Sequence, residues 1–91
     1  MAAHSEVVSA LAELKHPSHH RTWIEVDLGA IRENVRRFLT LAPTVMPCVK
    51  EDAYGHGAVR VAHAVIEAGA TRLVVATALE GEALRRAGVT V

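Results

Sequence analysis

Apolar and polar positions follow two periods along this chain, and the switches between them mark out its elements. In residues 22–28, T-W-I-E-V-D-L, Ile24, Val26 and Leu28 alternate with Trp23, Glu25 and Asp27, the pattern of a half-buried strand. Ile31, Val35, Phe38 and Ala42 then step by four, three and four, which predicts a helix with one apolar stripe. Arg32, Glu33, Arg36 and Arg37 fall mostly off that stripe. Asp27 stands where it can cap the helix, and Pro43 stops it. Residues 45–50 read as a short buried strand ending in Lys50, with Pro47 lacking a ladder donor. Gly55 and Gly57 then permit a sharp turn. Ala58, Val61, Ala62, Val65 and Ala68 form the stripe of a second helix, with Arg60, His63 and Glu67 on its wet face and Gly69 at a left-handed C-cap. Residues 72–76, R-L-V-V-A, predict a strand buried on both faces. Thr77 and Glu80 fit a capping box for a third helix, which buries Leu79, Ala83, Leu84 and Ala87 and stops at Gly88. Val89, Thr90 and Val91 begin another strand. This is the βαβ rhythm of an α/β fold with a parallel sheet.

Residues 1–21 read as a flexible leader before the domain. Ser5 can cap a short helix with Val7, Val8, Leu11 and Leu14 near one stripe, and His16, Pro17, Ser18, His19 and His20 break it. With His4, the leader holds four of the six histidines, but no cysteine or carboxylate sits at ligand spacing, so a solvated linker and no metal site is the expectation.

Composition narrows the class. The formal net charge is zero, which gives no bias toward nucleic acid or an anionic membrane. No apolar run approaches the roughly 18 residues of a membrane-spanning helix. The N-terminus lacks the basic-then-apolar pattern of a secretory signal, and a single cysteine makes no internal disulfide, so a reducing cytoplasm is expected. Ninety-one residues supply about two βα units of a (β/α)₈ barrel, which typically needs about 250 residues. The chain therefore reads as the N-terminal portion of a larger protein, residues 22–91 forming the barrel fragment.

The chemistry concentrates where residues 45–50 meet the glycine turn. Barrels place reactive groups at the carboxyl ends of their strands, and a lysine amine there can form a Schiff base with a carbonyl. The run Val49-Lys50-Glu51-Asp52-Ala53-Tyr54-Gly55-His56-Gly57 resembles the signature of alanine racemases, V-K-A-D-A-Y-G-H-G, departing from it at Glu51. Asn34 in the first helix and the run from Val75 to Val89 are similar to that family too, with Leu79 and Gly81 departing from its commoner choices. The resemblance implies that Lys50 carries pyridoxal 5′-phosphate (PLP) and acts as an acid/base, and that Tyr54 reaches the cofactor's phosphate. It also implies that the first strand pairs with a distant C-terminal β-domain, and that the partner subunit of a homodimer supplies a second catalytic tyrosine. The expected activity is interconversion of L- and D-alanine in the cytoplasm, supplying D-alanine for peptidoglycan, with the 91-residue piece alone inactive. A non-catalytic PLP-binding barrel and a related decarboxylase or broad-specificity racemase remain as alternatives. His56 and Asp52 read as structural groups of the turn, and Cys48 as an inert thiol on the same side of the strand as Lys50.

Overall fold

The computed structural model describes residues 22–91. The leader expected over residues 1–21, with its helix and histidine cluster, lies outside the described residues. Among the described residues four helical segments follow one another: α1 (Leu28–Leu39), α2 (Lys50–Tyr54), α3 (Ala58–Glu67) and α4 (Ala78–Arg86).

Helix starts and stops follow local chemistry closely. The Asp27 side chain accepts a hydrogen bond from Ala30 N–H at 3.0 Å, capping α1 as expected. The helix ends before Pro43, at Leu39, so Ala42 belongs to the loop rather than the stripe. Both α3 and α4 end in the same left-handed motif. Gly69 N–H donates to Ile66 O and Ala70 N–H to Val65 O; Gly88 N–H donates to Arg85 O and Val89 N–H to Leu84 O. Gly69 has φ of +118°, a conformation that favours glycine, and a Cβ there would also displace the tip of Leu39, 2.9 Å away.

The strands are a correction. Among the described residues there is no strand ladder, only an isolated parallel bridge between Cys48 and Val74. Val49 N–H donates to Val74 O and Val74 N–H to Pro47 O, each at 2.9 Å. Pro47 thus takes part through its carbonyl, which its ring leaves intact. The segment over residues 72–76 has this one neighbour; Leu73 and Val75 are half-buried while Val74 and Ala76 are exposed, not buried on both faces. Residues 22–27 form no strand or bridge among the described residues, and Ile24 is 74% exposed. A strand needs a hydrogen-bonded neighbour, whereas a helix bonds to itself.

Helix α3 lies against α1 and α4, and the core is built from Leu28, Val35, Val49, Val61, Val65, Leu84, Val89 and five alanines. Several stripe positions fall outside it: Phe38 and Leu79 are exposed, Ala83 is exposed, and Ala87 is half-buried. Arg32 reverses the expectation in the other direction. Its residue is 9% exposed, and Nε donates to Glu67 Oε2 of α3 at 2.9 Å. Glu67 therefore pairs across the helix interface, while His63 Nε2 lies 3.2 Å from Ala87 O at the end of α4.

Candidate functional site

Lys50 follows directly on the bridged residues Cys48 and Val49. Val49 is 1% exposed and fixes the backbone at the core, so the lysine leaves from an anchored point and is itself half-buried. The turn after it is not the glycine-only bend expected. Glu51, Asp52, Ala53 and Tyr54 all take left-handed backbone angles, with φ between 51° and 56°, before Gly55 at 88° and Gly57 at 95°. Each left-handed L-residue costs roughly 1–2 kcal/mol, so such a run persists only where other contacts hold it.

Those contacts are visible. Ala53 N–H donates to Val49 O at 3.0 Å, and the Ala53 methyl is buried. The Asp52 carboxylate accepts from Ala58 N–H at 2.8 Å, capping α3 across the turn, and His56 Nδ1 lies 2.9 Å from Ala53 O. Both residues are turn braces, as their types suggested. The Glu80 carboxylate accepts from Glu51 N–H at 2.7 Å, from Ala76 N–H at 2.8 Å and from Thr77 N–H at 3.1 Å. These bonds, Glu51's foremost, hold its pKa below the usual carboxylate value. The capping box that pattern reading found at Thr77 and Glu80 is present, but its reach to Glu51 lay beyond any local pattern.

The left-handed turn brings Tyr54 back toward the lysine. Lys50 Nζ lies 5.8 Å from the centre of the Tyr54 ring, within cation–π range, and Tyr54 Oη lies 3.6 Å from Cys48 Sγ. Backbone hydrogen bonding from Lys50 and the Tyr54 hydroxyl lower the Cys48 pKa; the same contact with Cys48 raises that of Tyr54. Lys50 and Tyr54, singled out on sequence, are thus brought together, with Cys48 as an addition that alternation placed on the right side without revealing its contact. Among the described residues no cluster of three metal-ligating side chains occurs. No helix among them is long and apolar enough to cross a membrane.

The donor set is one primary amine and one exposed phenol hydroxyl on the same side of a hydrogen-bonded turn. It suits a ligand with an electrophilic carbonyl and an anionic group, because the amine attacks the first and the hydroxyl donates to the second.

Comparison with known sequences places these residues in context. The chain is 54% identical over 71 residues to an alanine racemase of Symbiobacterium thermophilum, covering 76% of this chain and 19% of that protein. It is 50% identical over 74 residues to an alanine racemase of Geobacillus kaustophilus, covering 78% and 19%, and 49% identical over 73 residues to one of Synechocystis sp., covering 77% and 20%. The chain therefore spans about a fifth of the length of the curated relatives it matches. The sequence model of the family described as alanine racemase, N-terminal domain, matches residues 26–91, which include Lys50, the left-handed turn and Glu80; the chain belongs to that family.

Proposed function

We propose that the protein carrying this domain is a PLP-dependent alanine racemase that interconverts L- and D-alanine. The convergence of Lys50 Nζ and the Tyr54 ring at the exit of the bridged segment is the observation that carries the reading. The residues fit PLP: Lys50 would hold its aldehyde carbon and Tyr54 would donate to its phosphate. Donation to the phosphate would use the phenol proton that otherwise faces Cys48 Sγ, 3.6 Å away. When bound, PLP supplies a conjugated ring that accepts electron density from a deprotonated α-carbon. Lys50, once free of the cofactor, is the amine placed to move the α-proton on one face of the substrate.

Racemisation also needs an acid/base on the opposite face. The resemblance to alanine racemases implies a tyrosine for that role; Tyr54 lies on the lysine's side, and in our reading a partner subunit of a homodimer supplies the second group. The 91-residue chain alone is accordingly inactive. Residues 22–91 form the first part of an α/β barrel; the parallel bridge from Cys48 to Val74 with α3 between them supports that βαβ connection. We place the enzyme in the cytoplasm, where its product would serve cell-wall peptidoglycan.

Two measurements test this. Borohydride trapping of the 91-residue chain with PLP, followed by peptide mapping, is expected to label Lys50 above Lys15, the other lysine of the chain. The protein at the full length of its relatives is expected to exchange the α-proton of either alanine enantiomer with deuterated solvent. Lys50→Ala should lower that exchange by at least about a thousandfold, the order expected for loss of an acid/base group. Exchange that survives the substitution refutes the assignment of Lys50. A protein that decarboxylates a basic amino acid, or binds PLP without exchanging any α-proton, refutes the racemase.

A further inference from the structure

We propose that Glu80 is a positioning residue for Lys50: its carboxylate ties the turn that follows the lysine to the start of α4 and so fixes the lysine's exit direction. The two oxygens have separate partners. Oε1 accepts from Ala76 and Thr77 N–H, and Thr77 Oγ1 in turn accepts from Glu80 N–H, which completes the cap of α4. Oε2 takes no part in that cap. It accepts from Glu51 N–H at 2.7 Å, across 29 positions of sequence, a length at the strong end for a charge-assisted N–H···O bond.

Glu51 is bonded to Lys50 and is the first residue of the left-handed run. The hydrogen bonds inside that turn begin at Ala53 N–H, so Glu80 supplies the partner that the turn itself does not give Glu51 N–H. A capping role accounts for Oε1 and leaves Oε2 unexplained; a brace on the lysine's turn accounts for both. The carboxylate is ionised at neutral pH, so the brace is present there. Its consequence for the cofactor rests on the assignment of Lys50 above, while the brace is measurable without cofactor.

The test is amide hydrogen exchange by NMR on the 91-residue chain, unmodified and as Glu80→Gln and Thr77→Ala. Glutamine keeps the size of the side chain but has one acceptor oxygen; Thr77→Ala weakens the cap and leaves both oxygens of Glu80. In the unmodified chain the Glu51 amide is expected to be protected to a degree similar to Ala76. In Glu80→Gln it should exchange about tenfold faster relative to the Ala70 and Val89 amides, and in Thr77→Ala it should not separate from them. The trapped PLP ratio of Lys50 to Lys15 should fall about threefold in Glu80→Gln alone, as for loss of one hydrogen bond. An unprotected Glu51 amide in the unmodified chain overturns the brace without any variant. Equal acceleration of all these amides in both variants reduces Glu80 to a cap and also overturns it. The expected exchange pattern with equal labelling of both lysines supports the brace and sinks the cofactor assignment instead.

Discussion

Cys48 and Tyr54 each change the other's acidity, because a thiolate accepts the phenol's hydrogen bond and a phenolate facing that sulfur loses it. The contact is 3.6 Å; it raises the Tyr54 pKa and, after the backbone hydrogen bond from Lys50, helps to lower that of Cys48. The chain contains one cysteine and one tyrosine, so the long-wavelength phenolate absorbance reports Tyr54 and the pH dependence of thiol alkylation reports Cys48. Tyr54→Phe is expected to move the thiol upward toward its ordinary value, and Cys48→Ala to move the phenol downward toward its own. A phenol titration unchanged in Cys48→Ala would show that the pair does not exist in solution. Period-two alternation was enough to place Cys48 beside Lys50. It could not place Tyr54 there, because the six-residue return runs through backbone angles that alanine and glutamate rarely take. Arg32 was misread for a related reason: its charge suggested solvent, and the partner that lets it be buried, Glu67, lies 35 residues away.

Elements were legible wherever their determinants are local. Asp27, the Thr77 and Glu80 pair, Gly69 and Gly88 act within a few residues of the helix ends they define, and each is found in that role. Strands depend on neighbours, and the pattern over residues 72–76 describes a sheet position with two, of which Cys48 provides one. The left-handed turn was illegible because non-glycine residues occupy it, held by Asp52, His56 and Glu80. This account makes Glu51 an informative position. Its backbone has φ of 51° and its side chain is exposed, so glycine removes strain while keeping the N–H that Glu80 accepts. Relief of about 1–2 kcal/mol is partly offset by about 0.5–1 kcal/mol of added unfolded-state freedom. Glu51→Gly is therefore expected to be neutral or stabilising by up to about 1.5 kcal/mol, and Glu51→Val to cost about 1–2 kcal/mol, in urea unfolding. A destabilised glycine variant would mean that the turn is not left-handed in solution.

At the scale of the molecule, the aromatic side chains lie outside and mostly smaller apolar ones inside. The largest fully buried side chains are Val49 and Val65, while Trp23, Phe38 and Tyr54, all the aromatics of the chain, are more than half exposed. A cavity of about 500 Å³ opens between α1 and the segment around Met46, lined by Ile31, Phe38, Val45, Pro47 and Val65 among others. Burying a methylene contributes about 0.8 kcal/mol, so a core of valines, alanines and two leucines stabilises less than one that also enclosed these rings. The distinction can be read from two residues three apart on the one stripe of α1. Val35 is 6% exposed and Phe38 is 59% exposed, although their spacing predicted equal burial. Val35→Ala is expected to destabilise by about 2 kcal/mol in urea unfolding, from lost burial and the space left behind. Phe38→Gln should stay within about 0.5 kcal/mol, as surface substitutions do, and should weaken binding of an apolar fluorescent dye to the groove. Comparable losses at both positions would put Phe38 in the core after all, and the groove would then be closed in solution by the chain itself.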